Sequence, residues 1–251
     1  MSGAKLKMAS PAHTRAISSD RWFFGTAILA MTAVIVIGFL PSYYMQGVIA
    51  APHPLLPMTT LVHIHGAVFT AWMLLFLVQT LLISAGRADM HRQLGLASLV
   101  LLPVMIVVAI FAALYGALRA SGPPIVPPLS WLAVPLLSVP LFSALIAAAL
   151  VKRRDARSHK RYMFIAMIEM TSPGFGRWPF PAEIPAPIVL FGFSDLFLLA
   201  LIVWDLKRFG HIHRATWIGA AALVGSQVLR IGIWQTGPWL AFARWIVSPL
   251  G

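Results

Sequence analysis

Two carboxylates inside long apolar runs, Glu169 and Asp195, are the residues best placed to do chemistry in this chain, which holds only seven acidic residues in all. An ionised carboxylate in hydrocarbon costs several kcal/mol unless it meets a partner or water, so an acid at membrane depth marks a candidate functional site. The chemistry it supports is proton uptake and release. Counting 1.5 Å per residue, Glu169 lies about 12 Å in from one end of its helix. Pro173, Gly174 and Gly176 then interrupt that helix, and broken helices at membrane depth persist only where protein or a water cavity covers them. Arg177 follows the break, and Arg230 and Gln227 sit in the last long apolar run. The expectation is that these acids and arginines form buried ion pairs around a polar cavity. The competing expectation is an ion-pair network that only fixes helix packing.

Histidines near helix ends are the second group. His63 and His65 open one apolar run, followed by Gly66. Residues two apart point to opposite sides of a helix, so the two imidazoles do not share a site unless the helix start unwinds. His65, Trp72 and Gln79 recur every seven residues and share a face, and Gly66 leaves room for a close neighbour or a flat cofactor. His91 starts the next helix, with Arg87 and Arg92 beside it and Asp89 available as a cap. His159 leads a helix whose face carries Tyr162, Met163, Ala166 and Met170. His211 and His213 read as a solvated turn. Methionines at helical spacing are more often packing than ligands, and each histidine taken alone is as readily a hydrogen-bonded structural residue as a ligand.

These residues need a scaffold, and composition defines it. Of 251 residues, 59% are hydrophobic and 10% charged, and the mean hydropathy is +0.85; a typical soluble domain is about 25% charged. The chain therefore reads as an all-α, polytopic membrane protein. Cysteine is absent, which excludes disulfides, thiolate metal sites, iron–sulfur clusters and cysteine nucleophiles. A spanning helix needs about 20 mostly apolar residues, and seven segments qualify or nearly so: 22–41, 61–84, 95–118, 129–151, 162–180, 186–205 and 216–234. Residues 1–21 form a polar, basic N-terminal segment, 22–236 a seven-helix domain, and 237–251 a short aromatic tail suited to the interface. The first run is too long for the core of a signal peptide and is read as a retained helix.

The net charge of +12 does not signal nucleic acid, because it follows topology. With the N-terminus in the cytoplasm, all of the 19 basic residues except Arg119, Arg177, Arg230 and Arg244 fall on the inside. Seven spans then put the C-terminus outside, and Trp22, Trp131, Trp204, Trp217 and Trp234 fall near span ends, as interfacial anchors do. The outer loops include 42–60, with two tyrosines, His53 and three prolines, and the turn SGPPIVPP at 121–128, which cannot continue a helix. The basic loop 152–161 is read as a topological signal that also suits anionic lipid.

Taken together, His63-x-His65-Gly66 with Gln79, Arg87-x3-His91-Arg92-x-Leu94-Gly95 and His159-Lys-Arg-Tyr-Met163 resemble a bacterial polytopic membrane family of unknown function, over about residues 61–180. A more distant resemblance is to cytochrome b561-like proteins, in which helical histidines hold haem b. That resemblance implies His91 and His159 facing each other near the inner surface and His63 or His65 serving near the outer one. The cytochromes usually place two histidines 13–14 residues apart on one helix, whereas Gln79 stands 14 after His65 here. Comparison with rhodopsins fails because the seventh run has no lysine. No phosphate-binding glycine loop, hydroxylase histidine box or nucleophile elbow is present.

The leading expectation is a b-type haem protein of the bacterial inner membrane that exchanges electrons with quinone. His65, His91 and His159 would be metal ligands, with His63 a further candidate. Gln79, Arg177 and Arg230 would line the cofactor site, and Glu169 and Asp195 would handle coupled protons while an arginine holds their charge. A second expectation is a small-molecule transporter or lipid-binding protein built on the same acids and arginines. A third is a non-catalytic subunit of a larger membrane complex.

Overall fold

A computed structural model describes residues 11–51, 54–122, 126–181 and 183–250, with side-chain environments from residue 19 onward. Lys5, Lys7, His53 and the prolines at 123 and 124 lie outside the described residues, as does the side chain of Arg15. The described chain is helical and contains no strand. Its helices are α1 (Pro11–Phe39), α2 (Thr60–Ser84), α3 (Ala88–Gly95), α4 (Ala97–Leu118), α5 (Pro128–Trp131), α6 (Ala133–Val151), α7 (Ala156–Phe175), α8 (Phe193–Phe209), α9 (Arg214–Ile233) and α10 (Gly237–Val247). Wide π-helical turns extend α1 over Leu40–Tyr44 and lead into α8 over Ile188–Gly192.

Six segments are long and apolar enough to cross a membrane: Ser19–Tyr44, Thr60–Ser84, Ala97–Leu118, Pro128–Val151, Ile188–Phe209 and Arg214–Ile233. These correspond to six of the seven expected spans. Their outward faces carry large apolar side chains such as Leu99, Val100, Leu196 and Val228, a surface suited to lipid and costly in water.

The fifth expected segment behaves differently. It was placed at 162–180, yet the helix runs from Ala156 to Phe175. Asp155 starts it, its Oδ1 accepting from the backbone N–H groups of Arg157 and Ser158. These bonds and the Ser158 hydroxyl, the largest influence, hold the Asp155 carboxyl below its ordinary pKa. The helix also passes through Pro173 and stops at Gly176, so the break falls at the glycine. Pro173 sits in the last turn, where a proline costs only the bond to the carbonyl of Glu169. Helix α7 is too charged to count as a span by apolarity, and the packing explains why it need not be apolar. Successive contacts run α1–α2–α4–α6–α9–α8, and Phe23 of α1 stacks on Trp204 of α8 with ring centroids 4.5 Å apart, closing a ring. Helix α7 packs against α1, α6, α8 and α9 and buries Phe164, Ile165, Ala166, Met167 and Ile168 almost completely. Six apolar helices thus shield a polar one.

Contacts at the two ends fix the register. At the end carrying the basic loops, Lys160 pairs with Asp20 at 2.5 Å and Trp204 donates to Asp20 at 3.2 Å. Arg161 and Asp205 form a fully buried ion pair, and the Asp205 carboxylate also accepts from Thr216 at 2.5 Å and from the backbone N–H of His213 at 3.0 Å. At the opposite end, α1 and α7 approach so closely that a Cβ on Gly38 would lie 2.2 Å from the carbonyl oxygen of Gly174. Backbone cannot yield as a flexible side chain can, so small residues are required at this crossing. Gly38→Ala is expected to disrupt it, with a loss of folded, detergent-stable protein in size-exclusion chromatography, while Gly225→Ala, which meets nothing within 4 Å, is expected to be tolerated.

The tail 237–251 was expected to lie at the interface. It forms α10, whose Trp239, Ala243 and Val247 pack with Ala113, Leu114 and Leu132, and Trp239 donates to the carbonyl of Leu129 at 2.9 Å. At the expected solvated turn His211 is exposed, and His213 additionally caps α9. His213 Nδ1 accepts from the N–H of Ala215 at 3.1 Å, so this nitrogen carries no proton. Burial, with the Arg161 charge behind it, holds the His213 pKa below its ordinary value of 6.5. A folded-state pKa below the unfolded one gives stability that is complete above about 6.5 and is lost as pH falls through the folded value. Thermal unfolding between pH 5 and 8 is expected to show this loss, and His213→Asn, which caps without titrating in this range, is expected to flatten it.

Candidate functional site

The helices bring together two of the candidate histidines. His91 projects from the short helix α3 and His159 from the first turns of α7, and their rings stand edge to face with centroids 6.2 Å apart and planes at 84°. His159 Nδ1 lies 2.8 Å from the carbonyl oxygen of Ala149 at the end of α6. That carbonyl can only accept, so Nδ1–H donates the hydrogen bond, and in the neutral imidazole Nε2 then carries the lone pair. His91 Nδ1 is buried without a hydrogen-bond partner, as is the side-chain oxygen of Gln79. The Gln79 amide lies close by, since a Cβ on Gly95 would come within 3.2 Å of its nitrogen. Burial holds the His91 pKa below 6.5, outweighing the neighbouring Gln79 backbone, which favours the proton, and His159 and Arg92 oppose protonation further. The result is an imidazole pair in which burial holds His91 toward the neutral form, with unsatisfied polar atoms beside it.

Among the described residues, no three His, Cys, Asp or Glu side chains converge to hold a bare metal ion. A zinc site needs three or four protein donors. Haem supplies four equatorial donors of its own and asks the protein only for axial ones. Two imidazoles with orphaned polar atoms beside them are a donor set that an axially held haem would use.

His65 does not join this pair. It lies on α2 fourteen residues before Gln79, about 21 Å away at 1.5 Å per residue. Its ring stacks on Phe69 at 4.1 Å, and its Nδ1 is buried without a partner. His63, two residues earlier, is exposed and lies 6.1 Å from Tyr43 ring to ring; the Tyr43 hydroxyl donates to its carbonyl at 3.2 Å. The two imidazoles thus separate, as their spacing requires.

The acids and arginines form a second, fully interior group. Arg230 of α9 donates to Glu169 of α7 at 2.6 Å, and Ser138 of α6 donates to the same carboxylate oxygen at 2.6 Å. The other face of the Arg230 guanidinium is held by Ser226, at 3.1 Å from Nε and 2.9 Å from Nη2. Asp195 of α8 accepts from Gln227 of α9 at 2.9 Å and lies within electrostatic range of Glu169. Thr171 donates to Ser194 at 3.0 Å between the two. Arg177 takes no part. It donates to the carbonyl of Pro173 at 2.8 Å and lies over the Phe39 ring with its central carbon 4.0 Å from the centroid. Arg230 alone therefore balances an acid in this group.

Sequence reasoning missed Arg161 and Asp205, taking the first as a topological charge in a loop and the second as a span terminus. The available signal was an acid at the end of one apolar run with an arginine at the start of another. Comparison with family models, curated proteins and solved structures finds no match, so the functional reading rests on this geometry.

Proposed function

We propose that the protein is a b-type haem protein with seven membrane-embedded helices, its haem held between His91 and His159. The observation that carries this reading is the 6.2 Å, near-perpendicular ring pair with His159 Nδ1 anchored on a backbone carbonyl. Outer hydrogen bonds of this kind fix the tautomer and raise ligand basicity. Bound there, haem supplies one-electron chemistry between its ferric and ferrous states. His91 and His159 position it, Gln79 and Gly95 flank it, and the basic loops nearby, Arg92 included, suit its propionates. Sequestering α7 inside a ring of apolar helices gives the low-dielectric surroundings that tune a haem.

The topology belongs to the same proposal. With the basic loops in the cytoplasm, the N-terminus is inside, α7 completes the seven crossings, and the histidine pair lies at the cytoplasmic face of a bacterial inner membrane. Electrons would pass to or from a membrane quinone, with Glu169 and Asp195 as proton-handling groups.

The test is an absorbance spectrum of the purified protein, oxidised and then dithionite-reduced, with haem quantified on the same sample. A Soret band, reduced α and β bands and one haem per chain are expected, and His65→Ala is expected to leave all three in place. A flat spectrum removes the proposal.

A second reading, a small-molecule transporter or lipid-binding protein, draws on the Glu169–Arg230 and Asp195–Gln227 group. It predicts colourless protein whose ligand binding or flux is lost in Asp195→Asn while the fold is kept.

A further inference from the structure

Asp195 is the one acid at membrane depth that, among the described residues, pairs with no cation. Asp20 pairs with Lys160 and Arg208, Asp205 with Arg161 and Glu169 with Arg230, while Asp89 and Asp155 are exposed outside the spans. The two interior acids belong to one built group. Gln227 and Arg230 stand three residues apart on α9 and share a face; the first donates to Asp195 Oδ1 at 2.9 Å and the second to Glu169 Oε1 at 2.6 Å. Thr171 of α7 donates to Ser194 of α8 at 3.0 Å, joining the helices that carry the acids. Arg230 does not serve both. It is engaged through all three nitrogens, Nη1 on Glu169 and Nε and Nη2 on Ser226 at 3.1 and 2.9 Å, and it lies over the Phe191 ring. Every other charged or titratable side chain described on α1, α7 and α9, namely Asp20, Arg21, those of 157–162 and Arg214, lies at the basic end. Arg177, past the end of α7, lies over Phe39. Two carboxyl groups thus stand against one guanidinium. Asp195 Oδ1 has a neutral amide donor, and Oδ2 accepts no hydrogen bond from the described chain. An ionised carboxylate at this depth costs several kcal/mol without a countercharge, and a lone amide supplies none.

We propose that Asp195 is a proton-binding site, a neutral carboxylic acid with its proton on Oδ2, while Glu169 stays the fixed anion of an ion pair with Arg230. Binding one proton removes the uncompensated charge and leaves Oδ1 as the carbonyl oxygen that accepts from Gln227. The carboxyl is half-buried, beside the outward-facing Leu196 and Leu199, and lies roughly 10 Å in from the Ile188 end of its span, so its proton exchanges toward that end. This deepens the proton handling proposed above by giving the exchange to Asp195 alone, and the charge count stands with or without haem.

The test is infrared difference spectroscopy of the full chain at neutral pH in bilayers of ether-linked phosphatidylcholine, whose lipids carry no ester carbonyl. The spectrum is read as wild type minus Asp195→Asn, so that all other carboxyl groups, haem propionates included, cancel. Asparagine is close in shape and keeps an acceptor for Gln227. The expected result is a positive band at the carbonyl stretch of a protonated carboxylic acid, moved to lower frequency in deuterated water and absent from wild type minus Asp89→Asn. No such band in the first difference overturns the proposal. If Asp195→Asn does not fold by circular dichroism, Gln227→Leu takes its place. Losing the hydrogen bond to Oδ1 should move the acid band of wild type to higher frequency without removing it, and a band that is unmoved or lost overturns the site. Visible absorbance on the same samples separates the two readings. The acid band without a Soret band leaves the proton site standing and removes the haem, and a Soret band without the acid band does the reverse.

Discussion

Replacing His159 with alanine is expected to remove haem from the purified protein, with at least about a tenfold loss of bound haem relative to wild type. Outer-shell partners of a metal ligand alone are worth about 10–100-fold in affinity, so deleting a ligand sets that range as a minimum. His91→Ala is expected to do the same, because among the described residues no third His, Cys, Asp or Glu joins the pair to substitute for it. The readout is Soret absorbance per mole of protein. Either alanine leaves a cavity the size of an imidazole ring, so adding imidazole should restore part of the band. Full retention of the band in both variants would place the haem, if present, elsewhere. A loss of band with no rescue would be read together with a circular dichroism spectrum, to separate lost ligation from lost fold.

The largest effect on stability is expected from Arg161→Met. Arg161 and Asp205 are both completely buried, and removing the arginine leaves the carboxylate with only the Thr216 hydroxyl and the His213 N–H. Breaking a buried ion pair from one side costs about 3–5 kcal/mol, whereas replacing both partners with apolar residues is often close to neutral. Arg161→Met/Asp205→Leu is therefore expected to recover much of the loss. Denaturant unfolding in detergent, monitored by tryptophan fluorescence, measures both. A single variant within about 1 kcal/mol of wild type would mean that the pair is solvated, in the range of surface ion pairs. Because Asp205 also holds the backbone of His213, the single variant should loosen the start of α9 as well, while loss of the Arg161 charge that helps lower the His213 pKa should weaken the acid sensitivity of that cap.

The residues explain which parts of this architecture could be read in advance. Six spans are legible because lipid-facing helices must be apolar over about 20 residues, a constraint local to each segment. Helix α7 obeys a different constraint. Its surroundings are other helices, so its charged first turns at 156–161 resembled a loop, and its true start is marked by Asp155 rather than by apolarity. The pairing of Glu169 with Arg230 instead of Arg177 depends on how α7 and α9 are rotated against each other, and near-uniform apolarity around a helix leaves that rotation unspecified. The separation of His63 from His65 was legible from helical geometry alone. The approach of His91 to His159 was implied by the cytochrome resemblance but not by spacing, because it joins a short helix after α2 to the start of α7 and arises only once α7 is threaded through the ring.

The central claim is that one haem iron lies between His91 and His159. The most direct measurement is low-temperature electron paramagnetic resonance of the oxidised, purified protein. Imidazole planes at 84° predict a low-spin ferric signal of the strongly anisotropic kind that near-perpendicular axial imidazoles produce, lost in His91→Ala and His159→Ala. A high-spin ferric signal, a low-spin signal unaffected by either substitution, or no haem signal at all would contradict it.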